Sequence, residues 1–158
     1  MEFPKFFVTL FVFKKYVTMD EKEIKLTKKK LKELFEEYNT LYFNNEVQCP
    51  RYFELWTPSK NVVGWVRGIW NKKTQSYDAA LHISNNFIWN KKDLKNTMIH
   101  EMIHLLIKDY IKHLSFWQKL FGKDHDKIFT DKMNELNTNF SDLNVVIRAK
   151  HMKNRRKK

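Results

Sequence analysis

The stretch 98–107, Met98-Ile99-His100-Glu101-Met102-Ile103-His104-Leu105-Leu106-Ile107, decides how the rest of the chain reads. It lies in a predicted helix from about Lys91 to Lys112 that is apolar on most sides, so the helix belongs in a core. Two histidines and an acid are costly there unless something uses them, because buried imidazoles and carboxylates need partners. Side chains four apart on a helix point the same way, so His100 and His104 can aim both imidazoles at one metal ion. Neutral imidazole suits zinc. Glu101 sits about 100° around the helix from His100, where it can face a metal-bound water without binding the metal. Zinc lowers the pKa of such a water to about 7, and Glu101 can move its proton from attacking water to leaving amine.

A catalytic zinc takes three protein ligands and keeps one position open. His113, nine residues past His104, falls on the far side of a continuing helix. The H-E-x-x-H-x-x-G-x-x-H spacing is absent. His82 reads as a cross-strand packing residue, and His151 lies in a basic tail. His125 opens a later helix that can fold back on the first, so geometry allows it. A carboxylate such as Glu135 is the alternative.

Working outward, residues 27–43 form an amphipathic helix. Leu31, Leu34, Phe35, Tyr38, Leu41 and Tyr42 share one face, and Asn44-Asn45 ends it. Three strand-like runs follow, Tyr52–Trp56, Val62–Trp70 and Ala79–Ser84, rich in β-branched and aromatic residues. Their short connectors predict antiparallel hairpins. After the long helix comes a connector, Leu114–Lys123. Asp124 is the predicted N-cap of a helix from His125 to Asn137 with Ile128, Phe129, Met133 and Leu136 inward. Val145–Ile147 reads as a last strand. From Asn144 onward there are seven Lys or Arg and no acid, which predicts a solvated tail.

The 158 residues suit one domain, and 42% hydrophobic residues with 15% aromatics supply a core. The single cysteine, Cys49, excludes an internal disulfide and a zinc site built on several thiolates. Thirty Lys+Arg against 18 Asp+Glu give a formal charge of +12, a balance that favours polyanionic partners. Phe3–Phe13 is too short to span a bilayer and lacks a small-residue cleavage site. No stable membrane association and a cytoplasmic location are therefore expected, with an export signal or anchor in residues 1–18 as the rival.

The residues also resemble a family, the SprT-like zinc metalloproteases, which includes the Spartan-type proteases of DNA–protein crosslink repair. The likeness runs from about Leu31 to Asn137. It rests on Tyr38-Asn39 and Tyr42-Phe43, on Val63-Gly64-Trp65, on Leu81-His82-Ile83-Ser84 and on the His100–His104 motif. It rests most on His125-Asp126-x-x-Phe129-x-x-x-Met133-x-x-Leu136-Asn137, similar to the family's H-G-x-x-F-x-x-x-M-x-x-I-N. The resemblance implies that His125 is the third zinc ligand. Asp126 departs from the family's usual glycine, the connector with Tyr110, Phe116, Trp117 and Phe121 is long and aromatic, and no Cys₄ zinc ribbon follows.

Together these readings predict an α+β, zincin-like fold, with a small antiparallel sheet packed on the helix that carries His100, Glu101 and His104 and with His125 supplied by a following helix. Residues 25–143 form the metalloprotease domain, 1–24 an N-terminal extension and 144–158 a basic tail. The expected function is hydrolysis of peptide bonds, with Zn²⁺ as cofactor, in proteins associated with DNA. Lys28–Lys30 and Arg148–Lys158 are candidate phosphate contacts, and Trp56, Trp65 and Trp70 are candidate stacking platforms. Ala79–Ser84, with small Ala79 and Ala80, is the candidate edge for a peptide substrate. Tyr110 and His113 are conceivable oxyanion donors. The rival functions are a non-catalytic nucleic-acid-binding protein with a structural zinc and an exported zinc peptidase.

Overall fold

The computed structural model describes residues 22–111 and 127–157. Within them, a three-stranded sheet packs on a buried helix, and two amphipathic helices and the C-terminal segment complete the core. The N-terminal segment, the connector Leu114–Lys123, Asp124 and His125 lie outside the described residues.

Helix α1 is Lys28–Phe43. Thr27 caps it by accepting from the Lys30 N–H at 3.0 Å, satisfying a donor the first turn leaves open. Asn44 and Asn45 end it at φ of 50° and 63°, where asparagine is tolerated better than most residues. The inward stripe differs from the expected one at its end. Leu41 is exposed, whereas Asn39 and Phe43 are buried, because the Asn39 amide bonds both backbone groups of Val47 and draws that loop under the helix.

The sheet comprises β1 (Tyr52–Glu54), β2 (Gly64–Asn71) and β3 (Ser76–Ile83), in the order β1-β3-β2. β2 and β3 form the expected antiparallel hairpin, with Gly64 opposite Ile83 and Asn71 opposite Ser76. β1 instead runs parallel to β3, Tyr52 opposite Ala80, so the sheet is mixed rather than antiparallel. The connector after β1 carries the chain past the place that β3 later fills, and the hairpin turns back into it; short connectors do not reveal such an insertion. β3 is therefore the central strand, not an edge. Ala80 is fully buried, with register partners Tyr52 on one side and Arg67 on the other, and Ala79 is partly buried.

Helix α2 is Lys91–Ile107. Asn90 caps it, accepting from the Asp93 N–H at 2.8 Å. Its core residues Leu94, Met98, Ile99, Met102 and Ile103 are fully buried, as its apolar surface predicts. It stops earlier than expected, at Lys108, whose φ of 54° turns the chain into a 3-10 turn, Asp109–Ile111. Helix α3, Lys127–Asn139, buries Phe129, Met133 and Leu136, while Ile128 faces solvent. Val145–Ile147 is not a strand; Val145 is buried in a segment without regular secondary structure. Nor is the chain beyond it simply solvated. A 3-10 helix, Lys150–Arg155, buries Met152, Arg155 pairs with Asp93, and Phe87 and Arg156 form a β-bridge. No helix of the described residues is long and apolar enough to cross a membrane.

Lys108 holds a left-handed conformation that glycine adopts without strain. Lys108→Gly is expected to raise unfolding stability by about 0.5–1 kcal/mol, measured by urea denaturation.

Candidate active site

Glu101 faces the sheet from the middle of α2 and is 5% exposed. Burial pushes its carboxyl from the ordinary 4.5 up to about 7, partly offset by His104 and reinforced by Asp109. Room for it exists because β2 begins with a glycine. A Cβ on Gly64 would lie 2.6 Å from Glu101 Oε1 and 2.9 Å from its Cγ, closer than real contacts allow. Gly64 thus marks where strand and helix meet around one carboxylate.

His100 and His104 stand one turn apart, their ring centroids 5.1 Å from each other. His100 Nδ1 lies 2.9 Å from the Val146 carbonyl oxygen. A carbonyl only accepts, so Nδ1 carries the proton and the neutral ring's lone pair sits on Nε2. His104 Nδ1 lies 2.6 Å from Asp109 Oδ2, which favours the same tautomer and fixes the ring's orientation. The left-handed turn at Lys108 brings Asp109 back to His104. Phe129, fully buried on α3, packs against both rings, at 4.8 Å from His100 and 4.5 Å from His104.

Thus α2 carries the His100 and His104 rings side by side, with Glu101 turned toward Gly64 of the sheet. His125 precedes α3 by two residues and lies outside the described residues, as does His113. Glu135 is exposed and paired with Lys132 at 2.9 Å. Among the described residues, no group of three or more His, Cys, Asp or Glu is gathered for a metal. His82 is buried in β3 with its Nδ1 3.1 Å from the Trp56 carbonyl and its ring against Trp56 and Trp65; it packs across strands, as expected. Tyr110 packs on Gly68 of β2. His151 pairs with Asp93 at the start of α2.

Sequence reading missed Asp109 and the Val146 carbonyl. Asp109 was hidden by reading the helix on to Lys112, and a backbone oxygen leaves no mark in a sequence. Two imidazoles with protonated Nδ1 atoms and Nε2 lone pairs fit a divalent transition metal, since neutral imidazole binds through such a nitrogen. A buried carboxyl with a pKa near neutrality fits proton transfer.

Gly64→Ala is expected to displace the Glu101 carboxylate and cost about 1–3 kcal/mol of stability. Much of that loss should disappear in the Gly64→Ala/Glu101→Ala double variant, a coupling readable from a double-mutant cycle of thermal unfolding. The raised Glu101 pKa also gives the metal-free protein a pH dependence. Its contribution is fully present below pH 4.5 and is lost as pH rises through about 7. Glu101→Gln should remove that decline, which is on the order of 3 kcal/mol, in chelator-treated samples.

A family model described as the SprT-like family matches residues 31–151. A search among curated proteins found no match. The matched span contains the sheet, α2, α3, all of α1 but its first residues and the histidine–glutamate cluster, and the chain belongs to the SprT-like family.

Proposed function

We propose that this protein is a zinc-dependent metallopeptidase. The observation that carries the reading is the arrangement on α2: two imidazoles whose Nδ1 atoms are held by Val146 O and Asp109, beside a buried carboxyl fitted against Gly64. The SprT-like family is generally zinc-associated, and its domain is often metalloprotease-like.

His100 and His104 would hold the zinc through Nε2, with His125 as third ligand. Zinc, when bound there, supplies Lewis acidity toward a water and a peptide carbonyl. Glu101 supplies the proton traffic. With its pKa near neutrality it takes a proton from the attacking water on its carboxylate and returns it to the departing amine. Burial among apolar neighbours keeps that carboxylate poorly solvated and basic. Asp109 holds the His104 ring, and Phe129 limits where both imidazoles can swing.

With β3 interior, the peptide-binding edge is assigned instead to β2, which among the described residues has a strand partner on one side only. Its first residue, Gly64, already touches Glu101, so a peptide added along this strand passes the carboxylate. The favoured substrates are DNA-associated proteins; the net charge of +12 and the family resemblance support this. Of the described candidate phosphate contacts, Lys28 pairs with Glu54, Lys29 and Lys30 with Glu33, Arg155 with Asp93, Arg156 with Asn61 and Lys157 with Glu23, leaving Arg148, Lys150 and Lys153 as the exposed cations of choice.

The test uses purified protein and a protein substrate crosslinked to DNA. The wild type is expected to carry zinc and to cleave, losing activity to a chelator and regaining it with Zn²⁺. Glu101→Gln is expected to keep its zinc and lose about 10²–10⁴-fold in cleavage rate. Undiminished cleavage by Glu101→Gln would refute the role given to that residue.

A further inference from the structure

Asn137 ends the His125–Asn137 segment, and nothing in the proposed chemistry uses it. Its amide is committed to one residue. Nδ2 donates to Val145 O at 2.9 Å, and Oδ1 accepts from the Val145 N–H at 2.8 Å. Bonds in both directions fix the orientation of the amide and hold Val145 by both of its backbone polar groups. The Val145 side chain is 2% exposed. One residue earlier, the Asn144 N–H donates to Asn96 Oδ1 at 2.9 Å. One residue later, Val146 O accepts from His100 Nδ1.

The spacing explains why this works. Asn96 and His100 are four residues apart on α2, a rise of about 6 Å. Two residues of chain, from 144 to 146, can reach about 6.6 Å. The segment therefore runs in step with α2, and its middle residue is the one that Asn137 clasps.

The molecule contains a second clasp of the same form. Asn39 Nδ2 donates to Val47 O at 2.9 Å, and Asn39 Oδ1 accepts from the Val47 N–H at 3.1 Å. Both clasps join the last turns of a helix to a buried valine eight residues on. His100 bonds to the segment that Asn137 clasps, so the Asn39 clasp serves as a control for purely structural effects.

We propose that Asn137 is a positioning residue for His100. Its clasp on Val145 sets the Val146 carbonyl, and that carbonyl holds the imidazole as the Nδ1–H tautomer with its lone pair on Nε2. The consequence for metal affinity rests on the reading of His100 as a zinc ligand; the consequence for the tautomer does not.

The experiment compares the full chain with Asn137→Ala and Asn39→Ala. Nitrogen-15 spectra of the imidazole rings of zinc-free protein at pH 8 read the His100 tautomer, and competition with a chromophoric chelator reads Zn²⁺ affinity. The wild type and Asn39→Ala are expected to show the Nδ1–H tautomer, and Asn137→Ala a mixture with Nε2–H. Zinc affinity is expected to fall about 10–100-fold in Asn137→Ala and to stay at the wild-type level in Asn39→Ala. Both variants lose the same pair of bonds, so a comparable drop in thermal stability is expected in each. A folded Asn137→Ala with wild-type tautomer and affinity overturns the proposal, as does an equal change in Asn39→Ala. If Asn137→Ala does not fold, Asn137→Asp carries the test, since it keeps an acceptor for the Val145 N–H and loses the donor. An unchanged tautomer there overturns the proposal. A wild type that binds no zinc, with a tautomer that still depends on Asn137, supports the positioning role and rejects the zinc reading.

Discussion

A carboxylate removed from water is the constraint around which this molecule is arranged. Glu101 sits at the contact between the buried helix and the sheet, where a charged group is disfavoured unless the protein gains something from it. The strand gives way to it by having no side chain at Gly64. Apart from Thr97, the other buried positions of the helix are apolar. Burial at this one position pushes the carboxyl up toward neutrality.

The same economy governs the two histidines. Each ring bonds through Nδ1 to an acceptor from a different place: a carboxylate just past the end of the helix for His104, and a carbonyl from beyond α3 for His100. The left-handed turn at Lys108 and the amide of Asn137 each act at one remove. Phe129 joins them by packing on both rings. Helix, turn, third helix and C-terminal segment thus meet at one small volume.

How far the sequence foretold this depends on the kind of interaction. Helical periodicity is local, so α1 and α2 were legible, with the stop at Asn44 and the buried character of α2 marked by residue type. The pairing of His100 with His104 needs only the pitch of a helix. Strand order is not local: nothing in Tyr52–Glu54 says that its neighbour is the third strand rather than the second, and the alanines of β3 fit an edge and a centre equally well. Leu41 and Ile128 show the limit of periodicity, which gives a stripe's angle but not where the neighbouring element ends. The resemblance drew attention to Gly64 and Asn137, but only coordinates show that one makes room for a carboxylate and the other holds a carbonyl.

The dependence of His100 on Val146 also bears on how the chain comes into being. Synthesis runs from the N-terminal to the C-terminal side, so the motif on α2 emerges well before the backbone oxygen that orients its first histidine. A nascent or truncated chain ending short of residue 146 has the imidazole but not its tether. The tether of His100 thereby arrives only with the C-terminal part of the chain, and a polypeptide that stops before it holds that ring unaligned.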